Sequence, residues 1–167
     1  MRPIDEVRPV VLVTRATCIE GGSVLRRLRA RGRCAVRAMT RVPASPAACA
    51  LARDGVDVVR GDLEDLDSLT RAMAGCWGIA GIVRVDDRGS CWRQACNLLD
   101  AGADAGVGLV VLGVLDGAVS GRSTSANQMA RIAGYASGIG VPLTFRRLED
   151  SGPAVDVGDA IAAAFER

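Results

Sequence analysis

The sequence contains neither lysine nor histidine, so all 21 of its basic residues are arginines. A histidine general base, a lysine Schiff base and a Ser-His-Asp triad are therefore excluded. Aromatic residues are also scarce, at 3% of the chain, although 49% of the residues are hydrophobic. Alanine, valine, leucine and glycine must build the interior, and this composition favours helices packed closely on a sheet.

Long apolar runs and an excess of one charge are missing as well. No run approaches the roughly 20 apolar residues that span a bilayer, and the first residues lack the core of a signal peptide. The net charge is only +2, which predicts neither a nucleic-acid partner nor a membrane partner. The six cysteines form no CxxC pair, so no metal site is expected. We expect a soluble, cytoplasmic protein.

The sequence does contain a regular alternation of two kinds of segment. Apolar runs of strand length alternate with segments that have the periodicity or the end signals of helices. The predicted strands cover 9–14, 34–41, 56–62, 78–85, 107–116 and 141–148. The predicted helices cover 21–32, 45–55, 65–75, 90–106, 123–140 and 156–167.

Several residues mark the ends of these helices. Ser45 has the side chain of an N-cap, Pro46 suits the first helical position, and Gly55 follows the end of the same helix. Gly32 ends the first helix, and Asp156 or an adjacent residue begins the last one. These punctuation residues agree with the apolar pattern and support the alternation of strands and helices.

The alternation predicts an α/β fold. The strands are apolar runs rather than alternating patterns, so both faces of the sheet should be covered. We predict one domain over residues 1–167, with a doubly wound, mostly parallel six-stranded sheet between two layers of helices. The polar loop 116–125 follows the fifth strand, at the carboxyl edge where such sheets bind ligands.

Three stretches carry a resemblance to a known family: "VLVTRATCIEGGSVLRRL", "VRAMTRVPASPAACALARDGVDVVRGDLEDLDSLTRAMAG" and "GVPLTFRRL". They resemble the NmrA-like family, an atypical branch of the short-chain dehydrogenases/reductases. The resemblance implies an NAD(P)-binding Rossmann fold. Some members reduce small molecules, whereas others bind NADP(H) as redox sensors or co-regulators. The family's chains are longer, so we expect the C-terminal substrate lobe to be absent.

The first turn departs from the family's G-x-x-G-x-x-G pattern. The three glycine positions hold Arg15, Cys18 and Gly21, and Gly22 follows. The first two glycines permit a tight turn and a close approach of the backbone to the pyrophosphate, and the third allows the helix to pack on the sheet. Two interpretations stay open. Arg15 obstructs the phosphate site, or its side chain pairs with the phosphate beside the helix N-terminus.

Further cofactor contacts are implied by the resemblance. Arg41 follows the second strand, where an arginine accommodates the 2′-phosphate of NADP, and Thr40 adds a hydroxyl. Alternatively, Arg41 is an ordinary surface arginine. Asp62 either lies near the adenine or caps the next helix. The full set of expected cofactor-binding residues is Thr14, Arg15, Thr17, Cys18, Gly21, Gly22, Thr40, Arg41, Asp62 and Leu63.

Catalytic residues of the superfamily are missing. Its Tyr-x-x-x-Lys pair has no counterpart, because the single tyrosine, Tyr135, is followed four positions later by Ile139. The early lysine of many NmrA-like proteins aligns near Met129. Trp77 either borders the nicotinamide side of the crevice or is a core or dimer residue.

These observations favour a non-catalytic module that binds NADP(H) weakly or not at all and that acts as a redox sensor or interaction partner. A protein partner or a homodimer would fit this role. The alternative is an NADPH-dependent oxidoreductase of small molecules. In neither interpretation does the sequence offer a residue that we would name as catalytic.

Overall fold

A computed structural model describes residues 8–85, 89–115, 125–148 and 162–165. Within these ranges, six strands form one sheet with the order β3-β2-β1-β4-β5-β6. The strands are β1 (Val10–Val13), β2 (Ala35–Thr40), β3 (Asp57–Arg60), β4 (Gly78–Arg84), β5 (Leu109–Leu115) and β6 (Leu143–Leu148). The helices are α1 (Ile19–Arg31), α2 (Pro46–Arg53), α3 (Leu66–Met73), α4 (Ser90–Asp104) and α5 (Ser125–Ile139).

Every strand pairing in the sheet is parallel, and the predicted doubly wound α/β fold is confirmed. The longest ladder joins β4 to β5, from Gly78↔Leu109 to Arg84↔Leu115. Chain order reverses between β1 and β4, which are neighbours in the sheet. In a sheet of this kind, ligands bind outside the carboxyl ends of the strands at this switch point.

Two apolar cores lie on opposite faces of the sheet. One core joins the sheet to α3, α4 and α5 through residues such as Leu69, Leu98 and Ile132. The other joins it to α1 through Val24 and Leu25. Successive side chains of a strand point to opposite faces, so β4 and β5 contribute to both cores. Apolar strand runs are therefore needed on both faces of the sheet.

Three residues predicted to mark helix ends in α1 and α2 have these roles in the structure. Ser45 caps α2 by accepting a hydrogen bond from the Ala48 N–H at 3.3 Å, and Pro46 is the first helical residue. Gly32 ends α1 in the left-handed region, at φ 65°, where a residue with Cβ is disfavoured. The loop 116–124 and the proposed cap Asp156 lie outside the described residues, whereas 162–164 is helical.

The position of Trp77 excludes one of the two alternatives considered for it. It precedes β4 at the amino end of the strand, and its ring packs edge-on against Phe165 at a centroid distance of 6.2 Å. Its backbone N–H donates to the carbonyl of Val10, the first residue of β1. Trp77 therefore lies at the sheet edge opposite the ligand-binding edge, and a position beside the nicotinamide is wrong. No helix in the described ranges has the length and apolarity needed to cross a membrane.

Candidate functional site

The turn between β1 and α1 keeps the backbone of a glycine turn although it begins with an arginine. Arg15 has φ 52° and is the one described non-glycine residue in the left-handed region. The Cys18 N–H closes the turn by donating to the Arg15 carbonyl at 2.8 Å. An L-residue costs about 1 kcal/mol or more in this conformation. The fold therefore imposes the turn on a side chain that disfavours it.

Gly21 allows α1 to begin against this turn. A Cβ at Gly21 would lie 2.2 Å from the Arg15 carbonyl oxygen and 2.6 Å from the Thr14 carbonyl oxygen. A Cβ at Gly22 would instead meet the Ala16 carbonyl oxygen at 3.4 Å, which is ordinary contact. Gly21 is thus fixed by the packing of helix on strand, whereas Gly22 is buried without such a close approach.

Thr14 is fully buried, and its polar groups join two strands. Its N–H donates to the Ala80 carbonyl at 3.1 Å, and its hydroxyl oxygen accepts from the Ile82 N–H at 2.9 Å. The second bond continues the contact between β1 and β4 beyond the end of their ladder, which stops at Val13↔Ala80. Thr14 therefore holds the backbone of the turn through these two bonds, and its buried hydroxyl is not presented to a ligand.

A cleft of about 620 Å³ opens at the carboxyl ends of β1, β2 and β3. It brings together seven of the ten expected cofactor-binding residues, and the other three, Thr14, Gly21 and Gly22, are not among its lining residues. The lining residues are Arg15, Thr17, Cys18, Met39, Thr40, Arg41, Val42, Ser45, Gly61, Asp62, Leu63, Glu64, Ser90, Arg93 and Gln94. The cleft thus lies where a doubly wound sheet holds the first half of a dinucleotide.

The end of β2 contributes hydroxyls and a cation to the cleft. The Thr40 and Thr17 hydroxyl oxygens are 3.5 Å apart, and the Val42 N–H donates to the Thr40 hydroxyl oxygen at 3.3 Å. Arg41 is exposed at this edge. Arg37 points elsewhere, because its guanidinium pairs with Asp57 at 2.6 Å and donates to carbonyls at the end of α3. Of these two arginines, it is therefore Arg41 that reaches the cleft.

The end of β3 excludes one of the two roles considered for Asp62. Asp65 is the N-cap of α3, since its carboxylate accepts from the Ser68 N–H at 3.2 Å. The Asp62 carboxylate accepts instead from the Glu64 N–H at 3.0 Å and lines the cleft. The helix-cap role for Asp62 is therefore wrong. Leu63 is buried, and its carbonyl accepts from the Asn97 amide at 2.9 Å.

One wall of the cleft was not anticipated from the sequence. The Glu64 carboxylate accepts from Arg93 Nε at 2.6 Å and from Gln94 Nε2 at 2.8 Å, so the β3–α3 loop is tied to the first turn of α4. Ser90 lines the same wall. The available signal was position alone, because α4 begins near the carboxyl end of β4 at the same sheet edge.

Three arginines and two carboxylates line the cleft, so its net charge is +1. Among the described residues, neither Arg15 nor Arg41 forms an ion pair, and Arg15 Nε is buried without a hydrogen-bond partner. Glu64 is neutralised by Arg93. Buried donors are nearly always bonded in folded proteins, and Arg15 Nε beside the cleft is an exception.

Among the described residues, no phenol lines the cleft and no metal-binding cluster is present. Tyr135 is not among the lining residues, and its hydroxyl donates to the Asp100 carboxylate at 2.6 Å. This hydrogen bond, together with burial and the negative charge of Asp100, raises the pKa of Tyr135 to about 12. The described ranges contain no group of three or more acidic, cysteine or histidine side chains placed to hold a metal ion.

A family model and a curated relative both relate this chain to the same protein family. The model of the NmrA-like family matches residues 8–145. An NmrA-like family domain-containing oxidoreductase of Cladobotryum sp, FrzB, is 35% identical over 107 residues, which are 59% of this chain and 31% of the relative. The match thus spans about a third of the length of that curated relative.

Solved structures match the fold. A triphenylmethane reductase of Citrobacter sp., solved with NADP(H), superimposes with a TM-score of 0.67 at 26% identity, over 83% of this chain and 48% of that one. An NADPH-dependent quinone oxidoreductase of Escherichia coli, solved with NADPH, gives a TM-score of 0.76 at 20% identity, over 95% and 65% of the two chains. The second likeness shows the fold alone.

Proposed function

The chain belongs to the NmrA-like family and has its NAD(P)-binding type of Rossmann fold, and we propose that it is a non-catalytic module that binds NADP(H) with low affinity. Its role is that of a redox sensor or interaction partner rather than of a reductase. The observation that carries the proposal is the pairing of an open cleft beyond β2, lined by Thr40 and Arg41, with an arginine-bearing first turn.

Arg41 supports the choice of NADP(H) over NAD(H). It follows the last residue of β2, lines the cleft and has no ion-pair partner among the described residues. In Rossmann folds an acid at this edge bonds the ribose 2′-hydroxyl of NAD, whereas an arginine accommodates the 2′-phosphate of NADP. The neighbouring Thr40 hydroxyl supplies a further polar group at the same strand end.

The low affinity and the lack of catalysis rest on different residues. Arg15 and Cys18 place side chains where the family's glycine pattern leaves the backbone bare, so the pyrophosphate loses close amide contacts. The chain has no lysine or histidine, and the phenol of Tyr135 is committed to Asp100. Reduction of a carbonyl needs a positioned proton donor besides the hydride of the cofactor.

Calorimetric titration with NADPH and NADH tests the proposal. We expect NADPH to bind more tightly than NADH, and Arg41→Ala to weaken NADPH binding about tenfold while leaving NADH unchanged, since one charged hydrogen bond is lost. Arg53→Ala, which removes an exposed arginine of α2 outside the cleft lining, serves as the matched control. Absence of NADPH binding, or equal loss in both titrations, would contradict the proposal.

A second candidate function is an NADPH-dependent oxidoreductase. It is supported by the Cladobotryum relative, which is named an oxidoreductase, and by the likeness to the Citrobacter reductase at 26% identity. Incubation with NADPH and a triphenylmethane dye, followed by the loss of dye absorbance, distinguishes the two functions. Dye-dependent turnover of NADPH would overturn the non-catalytic part of the proposal and leave cofactor binding intact.

A further inference from the structure

We propose that the cleft prefers an adenosine 2′,5′-bisphosphate, a nucleoside with a phosphate monoester at each of these positions, over the complete dinucleotide. The inference rests on the proposed function, because it takes Arg41 as the contact for the 2′-phosphate. Its new element is that Arg15 binds the 5′-phosphate as a terminal group. The side chain that obstructs a passing pyrophosphate thereby becomes a ligand for a phosphate that ends at the turn.

The described lining of the cleft belongs mainly to the first mononucleotide-binding half of the sheet. A doubly wound sheet consists of two mononucleotide-binding halves, and the first is built from β1, β2 and β3. The cleft is lined by the loops after these three strands and by the first turn of α4. Among the described residues at the ends of β4 and β5, Leu115 is buried and Arg84 pairs with Glu20 at 3.3 Å, and neither lines the cleft.

Arg15 has the properties of a phosphate ligand. It lines the cleft, it is held at φ 52° by the turn, and its Nε is buried without an acceptor in the described part of the chain. A guanidinium forms parallel hydrogen bonds with two oxygens of one phosphate. A phosphate oxygen would satisfy the orphaned donor, and no oxygen among the described residues does so.

A terminal phosphate satisfies Arg15 better than an internal one. A phosphate monoester carries about −1.5 to −2 charges near neutral pH and offers three free oxygens. Each phosphate of a dinucleotide bridge carries one charge and two free oxygens. Because Arg15 adds a side chain at the turn, the bridge must also pass over it to reach the second half of the sheet. Binding of the second nucleotide therefore costs free energy and adds no further hydrogen bond to Arg15.

The two acidic residues of the cleft leave it with one net positive charge, because Asp62 and Glu64 stand against Arg15, Arg41 and Arg93. The Asp62 carboxylate accepts from the Glu64 N–H, and the Glu64 carboxylate is bound by Arg93 and Gln94. Of the three arginines that line the cleft, Arg93 is paired with Glu64, whereas Arg15 and Arg41 have no ion-pair partner among the described residues. Each of the two phosphate monoesters thus meets its own arginine.

Titration calorimetry on the whole chain tests the inference with four probes: adenosine 2′,5′-bisphosphate, 2′-AMP, 5′-AMP and NADPH. We expect the bisphosphate to bind at least as tightly as NADPH and about tenfold more tightly than 2′-AMP. Arg15→Ala should remove the advantage of the bisphosphate while leaving the affinity for 2′-AMP unchanged. Arg15→Gly should reverse the order so that NADPH binds more tightly. Arg53→Ala is the control, and circular dichroism verifies the fold of each variant.

The outcomes separate this inference from the proposed function. If NADPH binds the unmodified chain about tenfold more tightly than the bisphosphate does, the inference is overturned and NADP(H) binding stands. If Arg15→Ala weakens the bisphosphate and 2′-AMP equally, Arg15 has only a structural effect and the inference is also overturned. If none of the four probes binds, both the inference and the proposed function fail.

Discussion

The structure gives Tyr135 a different role from the one that the sequence suggests. The sequence offers it as the only phenol that a reductase of this superfamily could use. In the structure its hydroxyl is bound to Asp100 and its ring packs edge-on against Trp92 at a centroid distance of 5.7 Å. The Arg131 guanidinium lies over the Trp92 ring, with its Cζ atom 4.4 Å from the ring centroid. The phenol is thus part of the contact between α4 and α5.

Folding should shift the ionisation of the Tyr135 phenol to higher pH. The hydrogen bond to Asp100 favours the neutral phenol, and the pKa of Tyr135 rises to about 12 from an ordinary value of about 10. Because the folded state retains this proton longer than the unfolded state, the stabilising contribution is complete below pH ~10 and is lost as the pH rises towards ~12. Absorbance of the tyrosinate during alkaline titration measures this directly, since the chain has a single tyrosine.

The variant Asp100→Asn isolates the cause. The amide oxygen still accepts a hydrogen bond, but it carries no charge that opposes a phenolate. We expect the pKa of Tyr135 to move back towards its ordinary value, whereas Asp104→Asn, one turn further along α4, should not change it. Titration of the unmodified chain at the ordinary value would show that the contact with Asp100 does not persist in solution.

Among the elements, α1 depends most on a single residue at its start. Gly21 lies so close to the β1–α1 turn that a Cβ would meet carbonyl oxygens of Arg15 and Thr14. The Thr14 N–H donates to the Ala80 carbonyl and the Thr14 hydroxyl oxygen accepts from the Ile82 N–H, and these two bonds hold that backbone in place. The adjacent Gly22 has the same helical conformation and burial without the close approach.

Alanine substitutions at these two glycines should therefore differ in their effects on stability. Both substitutions gain helix propensity, about 1 kcal/mol relative to glycine. We expect Gly21→Ala to lower the free energy of unfolding by about 3 kcal/mol, because the turn cannot move away. Gly22→Ala should be neutral or stabilising by up to about 1 kcal/mol. Urea denaturation of both variants measures the difference, and equal stabilities would contradict the close packing of α1 on β1.

The elements were largely predictable, and their ends were less so. The predicted strand 107–116 begins in the structure at Leu109, and the predicted strand 141–148 begins at Leu143. Val107 and Val141 are buried apolar residues of the preceding turns, so hydrophobicity alone extends both strands. Helix α1 starts at Ile19, before the predicted residue 21. The sequence did not indicate this start, because the N-cap Cys18 makes no side-chain capping bond and is not a typical capping residue.

The candidate site was predictable where it follows from strand order. Arg41 and Asp62 come directly after strands whose carboxyl ends meet at one edge, and both line the cleft. The pairing of Glu64 with Arg93 joins residues that are 29 positions apart, and no local pattern encodes it. The orphaned Nε of Arg15 was likewise invisible, because it depends on how the turn folds over the side chain.

At the scale of the whole molecule, one sheet serves two cores. In β4, Ile79 and Val83 belong to the core under α3, α4 and α5, whereas Ala80 and Ile82 belong to the core under α1. The same strands cover both cores, so displacing a strand from one core also exposes the other core to solvent. The chain also has one tryptophan beside each core: Trp92 packs on the first, and Trp77 contacts Phe165 at the edge of the second.

Because the cores share their strands, we expect them to unfold together. Variants Trp77→Phe and Trp92→Phe each leave one fluorescent probe, and in each variant the fluorescence and far-UV circular dichroism transitions in urea should coincide. Adding Leu98→Ala, which creates a cavity in the first core only, should lower the stability by about 3 kcal/mol as seen by either probe. Leu25→Ala is the matched change in the second core. A shift confined to the tryptophan beside the altered core would mean that the two faces unfold independently, because only then can a cavity on one side leave the other side's transition in place.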